Sequence, residues 1–239
     1  MKNIFILLSL LFVNVMTDAK IRIIYNCAVL EKQAESGDAD AQNTLGSCYY
    51  TGNGITQDYE KAVYWYTKAA EQGFAIAQYN LGKCYENGEG VSEDMEKAVD
   101  LYYKAAEQEY APAQYAVGMY GYRHSVESVT ISWLEKAAEQ DYEPAQLILG
   151  SIYYQDSLVE HDYEKSVHYL LLVKDSQDTE TSGLACYILS KCYRFGRGVE
   201  QDVQKADELL HEAGQKGCDE AKSVFILKKK LDGGYEVIM

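Results

Sequence analysis

AQYNLGKCYENGEGVSEDMEKAVDLYYKAAEQEYAP, residues 77–112, decides the fold because it recurs. Residues 41–76 read AQNTLGSCYYTGNGITQDYEKAVYWYTKAAEQGFAI. Weaker copies begin at Ala113, Ala145 and Ala185, and a truncated sixth begins at Ala221. The six alanines are spaced by 36, 36, 32, 40 and 36 residues. Self-similarity at such a period predicts units that stack, each burying a face it cannot bury alone.

Within one unit, Ala41, Leu45, Cys48 and Tyr49 fall at offsets 0, 4, 7 and 8, one face of an α-helix. Gly46 lies in the middle of that helix, and its column continues as Gly82, Gly118, Gly150 and then Ser190. A mid-helix glycine costs about 1 kcal/mol against alanine. Its repetition therefore predicts a second helix too close for a Cβ. Thr51-Gly-Asn-Gly54 ends the helix, and Asp58, in a column with Asp94, Asp162 and Asp202, reads as the N-cap of the next. The second helix, roughly residues 59–72, buries Ala62, Trp65, Tyr66, Ala69 and Ala70 and stops at Gly73. Each unit thus reads as a helix–turn–helix hairpin.

The pattern A-x-x-x-L-G-x-x-Y-x-x-G-x-G-V…D-x-x-K-A-x-x-W-Y-x-K-A-A-E-Q-G resembles the Sel-1-like repeat, a relative of the tetratricopeptide repeat. The second unit carries it at Ala77, Leu81, Gly82, Tyr85, Gly88, Gly90, Val91, Asp94, Lys97, Ala98, Tyr102 and Lys104 through Gln108. The resemblance covers about residues 30–230. It implies an all-α fold, a right-handed superhelical α/α solenoid of about five helix-turn-helix repeats. It implies a scaffold that displays surfaces to partners. Some cysteine-rich relatives staple each second helix to the next first helix; the matching positions here are Ala70 with Gln78 and Ala106 with Gln114, so that staple is absent.

The expected organisation follows. Residues 1–19 form a signal peptide, with Lys2, an apolar run from Ile4 to Val13, and Thr17 and Ala19 at the −3 and −1 positions of a cleavage site; an uncleaved N-terminal anchor is the alternative. Residues 20–40 supply a half-repeat, since LEKQAESG at 30–37 aligns with YTKAAEQG at 66–73. Repeats then occupy 41–76, 77–112, 113–144, 145–184 and 185–220, and residues 221–239 form a capping helix and tail. The third unit lacks four residues and its Gly-x-Gly-Val turn. The fourth has Gln155-Asp-Ser-Leu-Val159 in that place and four extra residues before Ala185.

Composition bounds the partners. Lys plus Arg number 22 against 37 for Asp plus Glu, a net charge of −15. Phosphate backbones and anionic membranes require the opposite sign, so neither nucleic acid nor a membrane beyond the signal peptide is an expected partner. The signal places the protein in the periplasm or outside the cell. Of six cysteines, Cys48, Cys84 and Cys192 share one column. Equivalent residues of stacked helices lie about 8–10 Å apart, too far for a disulfide, and they read as space-filling thiols. A Cys186–Cys218 bridge stays open.

No Gly-x-Ser-x-Gly, Ser-x-x-Lys, His-Glu-x-x-His or Cys-x-x-Cys pattern occurs. Glu164 and His168 share a helix face without forming a metal set. The sequence therefore points to no enzyme, cofactor or metal. It points to a non-catalytic scaffold that binds a protein or peptide, as adaptor or inhibitor; a secreted hydrolase of β-lactams or cell-wall material is the alternative. With offsets 0, 4, 7 and 8 in the core, offsets 2, 6 and 9 of the first helices should face a concave groove. There the chain carries Tyr50, Tyr79, Tyr115, Met119, Tyr122, Leu147, Tyr154 and Tyr187. Such residues are enriched at interfaces, where a ring adds contact area and a hydroxyl adds a hydrogen bond.

Overall fold

A computed structural model describes residues 29–155, 158–219 and 221. These residues form helices and turns, with no strand among them. Residues 29–35 are helical (α1). Ten further helices follow among the described residues: α2 (Ala39–Thr51), α3 (Tyr59–Glu71), α4 (Ala75–Asn87), α5 (Met95–Ala106), α6 (Ala111–Arg123), α7 (Glu127–Ala138), α8 (Glu143–Gln155), α9 (Tyr163–Val173), α10 (Thr179–Phe195) and α11 (Val203–Gln215). The chain divides into two compact units, residues 1–113 and 114–239. The expected signal peptide lies outside the described residues. So does the expected capping helix, apart from Ala221, which is helical and buried.

Each hairpin closes by the same local chemistry. In the second hairpin, α4 ends at Gly88, whose φ of 69° is a left-handed conformation that glycine takes without strain. The chain then turns until Asp94 N–H donates to Tyr85 O at 2.9 Å. The Asp94 carboxylate accepts from Lys97 N–H and caps α5. That hydrogen bond holds the Asp94 carboxyl below its usual range. Asp58, Asp162 and Asp202 cap α3, α9 and α11 in the same way. The lysine three residues into each of these helices lies over a tyrosine of the helix before it: Lys61 over Tyr49, Lys97 over Tyr85, Lys165 over Tyr153 and Lys205 over Tyr193.

The glycine column marks where the two helices of a hairpin touch. A Cβ on Gly82 would lie 2.7 Å from the Tyr102 ring and 3.2 Å from Ala98 O. At Gly46 it would meet Tyr66, at Gly118 Leu134, and at Gly150 Leu170, each at 2.6–2.7 Å. Beside this seam runs the apolar column Leu45, Leu81, Val117, Leu149 and Leu189, all buried. Burial of such side chains from water is the main stabilising term. Leu81→Ala is expected to cost about 3 kcal/mol through lost transfer energy and the cavity left behind. Urea denaturation reads that loss directly, and an unchanged midpoint would remove Leu81 from the core.

A polar ladder joins successive hairpins. Gln42, Gln78 and Gln146 are buried and donate to Ala34 O, Ala70 O and Ala138 O, carbonyls near the ends of α1, α3 and α7. Helix ends leave such carbonyls without intrahelical partners. Gln72, Gln108 and Gln140 in turn donate to the side-chain oxygens of Gln42, Gln78 and Gln114, each at 2.8 Å. In the last hairpin Cys186 and Lys216 occupy the two glutamine positions, and Lys216 Nζ donates to Lys174 O at 3.1 Å and Ser182 Oγ at 2.6 Å.

The third hairpin departs from this plan. Gly121 replaces the tyrosine of the other units, and its missing Cβ lets Thr130 N approach to 2.9 Å of that position. Val126 N–H donates to Gly121 O, and Val126 occupies the N-cap of α7 without a side-chain cap. The four-residue deletion is thus absorbed by a closer turn, with Ser125 at φ 56°. Cys84, Cys186 and Cys192 are buried free thiols, so Cys186 forms no bridge to Cys218. Burial pushes the Cys84 thiol up to about 12.

Candidate protein-binding surface

The offset-2, -6 and -9 positions lie on α2, α4, α6, α8 and α10, and the structure treats them unequally. In the first unit, Tyr50 is half-buried. Its hydroxyl donates to Glu89 Oε2 at 2.7 Å, and its ring packs edge-on against Tyr59. The Glu89 hydrogen bond, aided by burial, raises the Tyr50 pKa well above the usual phenol value. Tyr79 is half-buried between two rings of its own hairpin, with centroids 5.6 Å from Tyr102 and 5.4 Å from Tyr110. Tyr102 OH donates to Glu86 Oε2 at 2.6 Å, which fixes a carboxylate of the offset-9 position beside this cluster. Asn80 donates to Asn43 and ties α4 to α2 along the same face.

In the second unit, Tyr115, Met119 and Tyr122 are half-buried on α6. The Tyr115 ring lies 5.5 Å from Tyr142, and burial followed by the nearby Tyr142 raises its pKa. Leu147 and Tyr187 are half-buried against the core of the last two hairpins. Lys191 Nζ sits 4.1 Å over the Tyr187 ring.

Tyr154 is a correction to the expected set. It is only 5% exposed. Tyr163 packs edge-on to it, and Arg197, from the turn after α10, donates to its hydroxyl at 3.1 Å. A residue of the next unit covers it, so it supports the interior and offers no contact surface. The rings that sequence reasoning missed, Tyr102, Tyr110 and Tyr142, are second-helix residues or connectors that brace Tyr79 and Tyr115 from behind. The signal for Tyr110 and Tyr142 is the recurrence of an aromatic residue three positions before the second, third and fourth repeat alanines, at Phe74, Tyr110 and Tyr142.

Among the described residues, no group of three or more His, Cys, Asp or Glu side chains is placed to hold a metal ion. The face is a surface of braced rings, amides and carboxylates.

Five stretches of the sequence, residues 39–74, 75–110, 111–142, 143–172 and 183–218, match the Sel1 repeat. The chain belongs to the Sel1 repeat family. The four residues that lengthen the fourth unit fall between the fourth and fifth of these stretches. Sel1 repeat proteins generally mediate protein–protein interaction. Among solved structures, the chain is similar to a Sel1 repeat protein from Oxalobacter formigenes, with 31% identity over 83% of this chain and 86% of that one and a TM-score of 0.66. It is also similar to a protective antigen of uropathogenic Escherichia coli strains that displays an SLR fold, with 30% identity over 87% of this chain and a TM-score of 0.63. This chain spans about half (52%) of that antigen. No curated protein matches the chain.

Proposed function

We propose that this Sel1 repeat protein is an exported, non-catalytic module that binds a protein or peptide through the offset-2, -6 and -9 face of its first helices. The observation that supports this most is the make-up of that face. Tyr50, Tyr79, Tyr115, Met119, Tyr122, Leu147 and Tyr187 are each half-buried, so part of each side chain meets solvent while the rest is held by neighbours. A ring held in one orientation loses little entropy on binding, and tyrosine is over-represented among residues that dominate interface energies. Lys83, Glu86, Lys191 and Arg194 share the face, but a merely solvated helix face would carry charge at most of its positions.

The test uses the full chain as bait and a partner recovered from the compartment to which the protein is delivered. Tyr79→Ala/Tyr115→Ala/Tyr187→Ala is expected to weaken that complex by about 100-fold or more, as three truncated anchors of 1 kcal/mol or more each would. The triple Tyr→Phe variant keeps the rings and should retain most of the affinity. Helical content by circular dichroism should be unchanged in both. Full affinity in the alanine variant would place the contact on another surface.

Export is part of the same reading and rests on Lys2, the Ile4–Val13 run and Thr17/Ala19. The described residues contain no helix long and apolar enough to cross a membrane. The protein isolated from its native source is expected to begin at Lys20. An intact mass that still includes Met1 would overturn cleavage.

A further inference from the structure

A cleft of ≈ 1220 Å³ opens between the start of α7 in the third hairpin and the α8–α9 turn of the fourth. Two irregularities of the repeat meet there, the shortened third hairpin and the glycine-free turn of the fourth. Thirteen residues after the repeat alanine stand Gly90 and Gly198. Each lies so close to the start of the preceding second helix that a Cβ would meet Tyr59 O or Tyr163 O at 2.2 Å. In the fourth unit that position is Leu158. Leu158 carries the Cβ that those two glycines lack, and the cleft lies where this turn faces α7. The helix end it would cover is also unusual, because Val126 holds the N-cap position that aspartate fills in the other described hairpins.

The lining is both apolar and acidic. Val126, 42% exposed, Ile131 and Val159 supply aliphatic surface. Five carboxylates, Glu127, Glu135, Glu160, Asp162 and Glu164, stand against one ammonium, Lys165, which makes −4 with His161 neutral. Lys165 is engaged already: its Nζ lies 3.7 Å from Glu135 Oε1 and 3.3 Å from Tyr153 OH. Asp162 is occupied in capping α9. Glu127, Glu160 and Glu164 are exposed at the rim.

We propose that this cleft takes a basic segment of the partner protein, with Lys or Arg side chains as its occupants. The proposal rests on the reading of the protein as a protein-binding module and adds a second contact with a defined chemistry. A long cationic side chain fits both halves of the lining. Its methylene stem lies along Val126, Ile131 and Val159, and its charged head reaches the rim carboxylates. Complementary charge at a rim sets the encounter rate and the choice of partner more than total affinity. In a chain of net charge −15, the cleft adds shape to the prevailing sign.

The test is the anisotropy of fluorescein-labelled hexa-arginine titrated with the full chain at low ionic strength, where exposed charges are least screened. Glu127→Gln/Glu160→Gln/Glu164→Gln is expected to weaken binding by about tenfold or more, the sum of three exposed ion pairs. A control with the same change in net charge, Glu60→Gln/Glu96→Gln/Glu107→Gln, removes exposed carboxylates of the first unit and should weaken it by less than about twofold. Val126→Asp, which removes the apolar lip and caps α7, separates the roles of stem and head: it should lower affinity despite adding negative charge. Equal losses in the two triple variants would mean diffuse attraction and overturn the proposal, as would an absence of binding to the wild type. If that happens while the tyrosine variant still loses its partner, the binding-module reading stands and the cleft alone is wrong.

Discussion

Gly82→Leu is expected to destabilise the second hairpin by about 4 kcal/mol or more, near the upper end of the range for single substitutions. The argument is geometric. The first added atom, Cβ, would sit 2.7 Å from Tyr102 Cε1, 2.9 Å from Tyr102 Cδ1 and 3.2 Å from Ala98 O. The ring can rotate at some cost, but the carbonyl belongs to α5 and moves only if the helix moves. Three further carbons then have to be housed where α4 and α5 already touch, and overpacking of this kind forces backbone shifts. Tyr102 cannot yield cheaply either, because it is 3% exposed and its hydroxyl is tied to Glu86. Urea unfolding followed by far-ultraviolet circular dichroism measures the loss. A double-mutant cycle with Tyr102→Ala separates its sources: the cost of Gly82→Leu should fall by more than about 1 kcal/mol once the ring is gone, since residues in contact couple. An unchanged midpoint in the single variant would show that the glycine column has no packing role.

Features that belong to one unit and recur in register were readable from the chain alone. The aspartate column gives the second-helix N-caps because an N-cap is a short-range event, set by a side chain and backbone three residues away. The mid-helix glycines announce a close helix because nothing else explains so costly a residue at a fixed phase. What crosses from one unit to the next was harder to see. Tyr154 shares its phase with Tyr50, yet Arg197, 43 residues later, closes over it. Offset alone assigns a face of a helix and says nothing of what the following turn lays upon it. Gln42, Gln78, Gln114 and Gln146 form a column in the chain, but its meaning depends on an acceptor eight residues upstream at the end of another helix. Gly121 was visible only as an extra glycine, and the contact with Thr130 N gives it a purpose. The cleft follows from two irregularities that sequence shows separately, the shortened third unit and the glycine-free fourth turn. Only the packed structure places them against each other.

Gly90→Ala is expected to cost far more than Gly88→Ala, although the two glycines stand two residues apart in one turn. Their backbones are nearly alike, with φ of 69° at Gly88 and 73° at Gly90. Placing an L side chain in that left-handed region costs about 1–2 kcal/mol in either case. Their surroundings differ. A Cβ on Gly88 would find its nearest neighbour, Glu93 Cβ, at 3.6 Å, which is ordinary contact. A Cβ on Gly90 would lie 2.2 Å from Tyr59 O, 2.3 Å from Tyr59 C and 2.7 Å from Glu60 N. All three are backbone atoms at the start of α3, so no rotamer relieves the clash. The turn must lift away from α3, and the second hairpin then loses part of its seat on the first. In a stacked-repeat protein that interface is a large share of each unit's stability, because a unit contacts only its neighbours. Gly88→Ala should therefore lower stability by about 1–2 kcal/mol, and Gly90→Ala by about 4 kcal/mol or more. Hydrogen exchange gives the sharper reading. Gly88→Ala should leave protection of α2 and α3 intact, whereas Gly90→Ala should raise exchange in α3, α4 and α5 together. Equal melting temperatures and equal exchange in the two variants would mean that the α4–α5 turn does not rest on α3.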